Sequence, residues 1–183
     1  MAKKSDSNVK KSDSDVKKEA KQLLKKIEIE KKRAEKLGHE FRGLSEEELI
    51  LKIRGETSNS PFYIINSWNS FTTAGSRSYY LSNFFNPDPQ TRLCFETMYF
   101  GLSSLNPDIN SAISARDTRW PCVSSELTIL APGETGIGEF IFTVPYVPKG
   151  TYFINTVLWE WVPGGEVVSQ IFDHASGFYL TVK

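Results

Sequence analysis

Residues that could perform catalysis or bind a metal are few and poorly grouped in this sequence. The two histidines, His39 and His174, lie far apart, and neither Cys94 nor Cys122 belongs to a C-x-x-C pair, so the usual zinc spacing is absent. A Gly-x-Ser-x-Gly elbow and a phosphate-binding Gly-x-x-x-x-Gly-Lys-Ser/Thr loop are also absent. We expect no catalytic residues, no metal and no cofactor. The cysteines are expected to be small buried hydrophobic residues, with a single disulfide as the alternative.

Acidic residues leave two other kinds of site open. A calcium site could use Asp88, Asp108 and Asp117, because oxygen ligands need no fixed motif, but Asn-Pro-Asp sequences more often cap turns. A glycoside hydrolase needs two facing carboxylates, and the candidates are Glu96, Glu126, Glu139 and Glu160. Each of these four stands at an outward polar position of an alternating strand, so we expect exposed side chains and no active site.

Aromatic side chains are more informative, because they exceed what a small core needs. Trp159 and Trp161 are two residues apart and share one face of a strand. Such rings can stack on sugars, although core packing is their commoner role. In the longest predicted connector, 102–122, two arginines flank Asp117, and this group could bind a ligand or only anchor the loop by a salt bridge. The candidate ligand-binding residues are Trp120, Trp161, Tyr79, Tyr80, Arg116 and Arg119.

The part of the chain after Thr57 must position these aromatics. Helix-forming residues give way there to Phe, Tyr, Val, Thr, Gly and Pro, with turn sequences rich in Asn, Pro, Asp and Gly. The pattern predicts a mainly β fold, an antiparallel immunoglobulin-like or jelly-roll β-sandwich of about eight strands with an N-terminal helical arm. The predicted strands are 61–66, 77–85, 92–101, 123–130, 137–144, 151–161, 166–171 and 177–182.

The helical arm is predicted from apolar residues spaced alternately by four and three, which is the seam of a heptad helix. The seam residues are Val16, Ala20, Leu23, Ile27, Ala34 and Leu37. The spacing favours self-association or docking to a protein partner through this seam. Residues 1–36 carry 13 Lys/Arg and 7 Asp/Glu. A solvated tether, or contact with nucleic acid or an anionic membrane by charge, therefore remains an alternative.

Composition divides the chain into four parts. We assign a disordered basic tail to 1–12, an amphipathic heptad-like helix to 13–38, a linker with a short docking helix to 39–58, and the β-sandwich to 59–183. The short helix carries a capping box, in which Ser45 is followed three residues later by Glu48. Three apolar residues of this helix are expected to dock it on the sandwich: Leu49, Ile50 and Ile53.

Residues 128–183 resemble a known class of domain. A Pro-Gly turn at 132–133, the alternating strand 140–144 and the Gly-x-Tyr sequence at 150–152 are similar to the later strands of immunoglobulin-like accessory domains. The ending 173–182 is similar to the close of the carbohydrate-recognition domain appended to some O-antigen ABC transporters. The resemblance implies a β-sandwich and a glycan as one candidate partner.

These observations together predict a non-enzymatic binding or assembly module, with a β-sandwich head and a helical arm for oligomerisation or attachment. Two alternatives stay open: a carbohydrate-binding domain that uses exposed aromatics, and a glycan-active hydrolase. No apolar stretch approaches the roughly 20 residues that span a bilayer, and the N-terminus lacks the apolar region of a signal peptide. A cytoplasmic location is the expectation.

Overall fold

The computed structural model describes residues 11–55, 60–101, 123–161, 168–171 and 177–183. These residues form two helices, α1 (Asp13–Leu37) and α2 (Glu46–Ile53). They also form eleven strands, which are β1 (Glu40–Gly43), β2 (Phe62–Trp68), β3 (Phe71–Thr72), β4 (Arg77–Phe85), β5 (Arg92–Gly101), β6 (Val123–Ser124), β7 (Thr128–Leu130), β8 (Thr135–Thr143), β9 (Gly150–Trp161), β10 (Val168–Ile171) and β11 (Phe178–Val182).

The strands form two sheets. The smaller sheet has the order β1-β2-β4-β8, and its pairs are antiparallel. The larger sheet has the order β3-β11-β9-β5-β6, with β7 also pairing with β5 and β10 with β9. Its strands are antiparallel except for the short parallel pair of β3 and β11. The predicted β-sandwich with an N-terminal helical arm is confirmed.

The core lies between the inner faces of the two sheets. Period-two alternation selects its members: along β8, Phe140 and Phe142 are buried, whereas Ile141 between them is exposed. Side chains from both sheets meet in one cluster, because Tyr80 of the smaller sheet stacks on Phe178 of the larger, with ring centroids 5.0 Å apart. These contacts identify the inner face of each sheet, and the opposite face of each sheet is its outer face.

Helix α1 covers the outer face of the smaller sheet. It begins after Ser12, whose hydroxyl accepts a hydrogen bond from the Asp15 N–H, and it ends at Gly38 in the left-handed conformation. Its apolar stripe enters a buried cluster with α2 and the outer face of the sheet. The members of this cluster are Val16, Ala20, Leu23, Ile27, Leu49, Ile53, Phe62, Ile64, Ile65 and Phe85.

The α1 seam is therefore occupied inside the chain, and self-association through it is not supported. Five seam residues are buried within the single chain, namely Val16, Ala20, Leu23, Ile27 and Ala34. Leu37, the last of the predicted seam, is exposed instead. The spacing of apolar residues shows that one face of a helix is buried, but it does not identify the element that packs against that face. Here the bulged strand β2 supplies it with Phe62, Ile64 and Ile65.

The segment between α1 and the sandwich is more ordered than a linker. Residues 40–43 form the edge strand β1, which pairs antiparallel with β2. The predicted capping box of α2 is present, since the side chains of Ser45 and Glu48 bond reciprocally to each other's backbone N–H. Leu49 and Ile53 of α2 are buried, and Ile50 is partly buried against the same cluster. The two helices thus form a third layer on the smaller sheet.

Candidate functional site

The predicted ligand-binding residues do not form one surface. Tyr79 lies on the outer face of the smaller sheet, beside α1. Its neighbour Tyr80 points into the core and is buried, so its assignment to a ligand surface is corrected. Trp161 lies on the outer face of the larger sheet, on the opposite side of the sandwich. The other three candidates, Arg116, Arg119 and Trp120, lie outside the described residues.

The outer face of the larger sheet carries an apolar surface that we call the aromatic patch: Leu93, Phe95, Ile129, Trp159 and Trp161. Leu93 lies opposite Ile129 on β7 and opposite Trp161 on β9, so the three form one row across the sheet. Phe95 lies opposite Trp159 in the next row on that face, and their rings are stacked with centroids 6.2 Å apart and planes within 13°. Solvent reaches 67% of Ile129 and 44% of Trp161.

The geometry of the patch is held by neighbouring residues on the same face. The Trp159 indole N–H donates a hydrogen bond of 2.7 Å to Thr97 Oγ1, which fixes the orientation of that ring. Further along β9, Phe153 packs against the exposed Tyr179 of β11 at 5.1 Å between centroids. The aromatic patch therefore presents pre-oriented rings on paired strands rather than on a flexible loop.

Glu96, expected to be exposed, is fully buried between the sheets, because β5 turns it to the same face as Cys94 and Met98. Its carboxyl group accepts hydrogen bonds from the hydroxyls of Tyr63 at 2.7 Å, Tyr80 at 2.9 Å and Ser82 at 2.5 Å. Burial raises the Glu96 pKa from 4.5 to about 7, although the three hydrogen bonds act in the opposite direction.

Glu160 is the second carboxylate that departs from the expected exposure. It is buried on the inner face of β9 and accepts a hydrogen bond from Arg92, which also bonds to Asp88 at 2.7 Å. Glu126 and Glu139 are exposed, as expected. Because Glu96 is sealed in the core and Glu160 is paired with a guanidinium, these four glutamates give no pair of carboxylates facing an open cleft. The glycoside hydrolase alternative gains no support.

Cys94 and the predicted calcium ligands likewise show no chemical site. Cys94 is a buried free thiol, and burial and the charge of Glu160 raise its pKa to about 12, so it is unreactive near neutral pH. Asp88 accepts hydrogen bonds from Arg92 and from the Gln90 N–H. No group of metal-ligating side chains occurs among the described residues, while Asp108, Asp117 and Cys122 lie outside them.

Tyr79 lines a small cleft between the C-terminal half of α1 and the smaller sheet. Its ring lies 5.2 Å from that of His39. Burial raises the Tyr79 pKa to about 12, and burial together with the charge of Arg33 lowers the His39 pKa. Both rings are therefore neutral near pH 7, and the cleft is a packing feature beside α1 rather than an acid–base site.

No family model and no curated protein matches this sequence. Among solved structures, the C-terminal domain of Wzt is 12% identical, with 79% of this chain and 78% of that chain covered and a TM-score of 0.46. The CARDB domain of the PF1109 protein from Pyrococcus furiosus is 13% identical and has a TM-score of 0.40, and the match covers 64% of this chain and 84% of that chain. Spo0M from Bacillus subtilis is 12% identical and has a TM-score of 0.37, and the match covers 68% of this chain and 49% of that chain.

These likenesses concern the fold. The C-terminal domain of Wzt and the CARDB domain are thus among the solved structures that this chain resembles at low identity. Within the described residues, neither helix combines the length and the apolar character needed to cross a membrane.

Sequence reasoning found Trp161 but missed three members of the aromatic patch, Leu93, Phe95 and Ile129. A signal for two of them was present, since Leu93 and Phe95 alternate with the inward residues Cys94 and Glu96. Their approach to Trp161 depends on the pairing of β5 with β9 and β7, which single-strand periodicity does not specify.

Proposed function

We propose that this chain is a non-enzymatic binding module that holds a protein partner through the aromatic patch. The observation that carries the proposal is the row of Leu93, Ile129 and Trp161, an apolar row that contains an exposed indole and an exposed isoleucine. Protein interfaces are enriched in aromatic anchors at their centres and depleted there in charged residues. The patch has this composition.

Rigidity of the patch supports the same proposal. Strands β5 and β9 pair along nine residues, from Leu93 opposite Trp161 to Gly101 opposite Phe153. Side chains on a paired strand lose less freedom on binding than side chains on a loop, so more of the contact energy remains as affinity. In this proposal α1 stabilises the smaller sheet, and the binding surface lies on the other side of the sandwich.

The non-enzymatic part of the proposal is supported by the polar groups of the core. The carboxyl group of Glu96 is sealed by three hydroxyl donors, and that of Glu160 is neutralised by Arg92. Cys94 has a raised pKa, so its thiol is not an activated nucleophile. Each of these groups has a structural role that accounts for its environment.

A glycan is the second candidate ligand, favoured by one specific observation. The stacked rings of Phe95 and Trp159 are nearly parallel and adjoin the exposed indole of Trp161. Flat rings of this kind can stack against the apolar face of a sugar. The aliphatic neighbours Leu93 and Ile129 offer a sugar no hydrogen bonds, and for this reason we place a protein partner first.

The test compares the full chain with two aromatic-to-alanine variants. Trp161→Ala removes the exposed indole of the patch, and Tyr146→Ala is the matched control, because Tyr146 is 89% exposed in a turn away from the patch. In affinity enrichment from cells that express the protein, we expect a partner retained by the wild type and by Tyr146→Ala and lost by Trp161→Ala. Equal retention by both variants overturns the assignment of the patch.

A glycan array separates the two ligand classes. Binding of the wild type to a defined glycan, abolished by Trp161→Ala and kept by Tyr146→Ala, assigns the patch to sugar instead of protein. Circular dichroism of each variant verifies that the sandwich is folded. Because Trp161 is partly exposed, its removal leaves most of the core intact.

A further inference from the structure

In the part of the chain that the structure describes, β8 is the last strand of the smaller sheet. Among the described strands it pairs only with β4, through nine consecutive residue pairs from Thr135 to Thr143 without a register shift. An edge strand has one neighbour, so alternate N–H and C=O groups point away from the sheet. Within the described residues, no backbone hydrogen bond outside this ladder involves Ile137, Glu139 or Ile141. The free side of β8 is thus a ready template for another strand.

The outward side chains of β8 are unusual for an unprotected edge. Ile137 and Ile141 are each 61% exposed, and Glu139 stands between them, while Gly138 and Phe140 face the core. Soluble proteins protect edges with charged side chains, proline, a bulge or a very short strand. Of these devices β8 has one charge, Glu139, because the strand is nine residues long, regular, and free of Lys and Pro.

Glu139 is a carboxylate without a salt bridge among the described residues. The basic residues of α1 nearby are engaged elsewhere: Arg33 pairs with Glu30 at 3.7 Å, and Lys26 donates to Thr135 Oγ1 at 2.9 Å. Burial, the charge of Glu139 and a hydrogen bond between the Tyr79 hydroxyl and the Glu139 carboxylate together raise the pKa of Tyr79. The free edge therefore presents an acidic group flanked by two exposed isoleucines.

We propose that β8 binds an extended basic peptide segment by strand addition, with a Lys or Arg opposite Glu139 and apolar residues opposite Ile137 and Ile141. Cross-strand pairs of opposite charge and of apolar side chains stabilise an antiparallel pair, and main-chain hydrogen bonds supply the rest of the affinity. This surface is on the smaller sheet and is separate from the aromatic patch.

The charge of Glu139 distinguishes this occupant from a second copy of the chain. If two β8 strands pair antiparallel so that Ile137 of one copy lies opposite Ile141 of the other, Glu139 meets Glu139 across the pair. Like charges directly opposite each other are destabilising. A basic residue in the added strand removes this repulsion and keeps both apolar contacts, so the edge fits a basic peptide better than itself.

The test uses two capped synthetic peptides, Thr-Val-Thr-Lys-Thr-Val-Thr and the same peptide with Glu in place of Lys. Each peptide is titrated into the ¹⁵N-labelled full chain. We expect the Lys peptide to shift the amide signals of 135–143 but not those of 40–43, and to bind about tenfold tighter than the Glu peptide. The variant Glu139→Lys should reverse this preference.

Glu40→Lys is the matched control, because Glu40 is an exposed glutamate on β1, the opposite edge of the same sheet. It should keep the wild-type preference for the Lys peptide. Absence of amide shifts along β8, or an unchanged preference in Glu139→Lys, overturns the proposal. Sedimentation showing a wild-type dimer that Ile141→Lys dissociates would assign the edge to a second copy, and would also overturn it.

Discussion

Gly138 on β8 lies against the buried carboxyl group of Glu96 on β5. A Cβ atom at position 138 would come 2.0 Å from Glu96 Oε2 and 2.7 Å from Ser82 Oγ. The smaller sheet therefore accommodates a carboxyl group of the larger sheet at a position that has no side chain. Tyr63 and Tyr80 complete the enclosure by donating hydrogen bonds to the same group.

Adding a methyl group at this position should destabilise the fold. We predict that Gly138→Ala lowers the free energy of unfolding by about 2–4 kcal/mol, because the new Cβ must displace the Glu96 carboxyl group from its hydroxyl donors. Gly150→Ala is the matched control, since a Cβ there meets only Tyr152, at 3.9 Å. Urea denaturation measures both variants. Equal stability of the two would show that Gly138 and Glu96 are not in contact.

The burial of Glu96 predicts a specific pH dependence of stability. Its pKa in the folded chain is about 7, above the ordinary 4.5, so folding favours the protonated form. The stabilisation from this proton is complete below about pH 4.5 and is lost as the pH rises through 7. Glu96→Gln should lack this loss of stability, and at pH 8 its free energy of unfolding should exceed that of the wild type by about 2–3 kcal/mol.

Urea denaturation of the wild type and of Glu96→Gln at pH 5 and pH 8 checks this prediction. The titratable groups that face Glu96 are Tyr63 and Tyr80, and burial raises both of their pKa values well above 10, so they do not titrate in this window. Glu126→Gln, at an exposed position, is the control and should follow the wild-type curve. Parallel curves for the wild type and Glu96→Gln would mean that Glu96 is not the titrating group.

The docking of α1 can be tested with two residues of the same helix. Leu23 is buried in the cluster shared with α2 and the smaller sheet, whereas Ile29 is exposed. We predict that Leu23→Ala lowers the free energy of unfolding by about 2–4 kcal/mol and that Ile29→Ala changes it by about 0.5 kcal/mol or less. Sedimentation accompanies the measurement. If Leu23→Ala left the stability unchanged but reduced the mass of an oligomer, the result would contradict intramolecular docking and favour self-association through the α1 seam.

Two long strands and the helix ends were readable from local sequence, whereas the predicted strand 123–130 is two short strands, β6 and β7, and β3 was not predicted. β4 and β5 have the predicted bounds, and the capping residues Ser12, Ser45 and Gly38 mark the ends of the helices. These features depend on neighbouring residues, through period-two alternation and backbone capping. β1 was not predicted from the sequence, because its four residues include one large apolar side chain, Phe41, and a single apolar residue shows no alternation.

The environment of Glu96 could not be predicted in the same way. We expected an outward Glu96, although it lies on the same face of β5 as Cys94 and Met98. A buried glutamate needs hydrogen-bond donors and space, and here these come from β2, β4 and β8. The aromatic patch is non-local for the same reason, because Ile129 and Trp161 meet Leu93 only through strand pairing. The spacing of the α1 seam identified an apolar face but not the sheet that covers it.

Site-specific photo-crosslinking tests the proposed binding function most directly. A photoreactive phenylalanine analogue replaces Ile129 in the patch or, as the control, the exposed Leu51 on α2, on the other side of the sandwich. In cells that express the protein, we predict a discrete crosslinked partner from position 129 that is absent from position 51 and is lost when Trp161→Ala is added. Crosslinks of equal yield from both positions, or crosslinks from position 129 that persist in Trp161→Ala, would contradict the account.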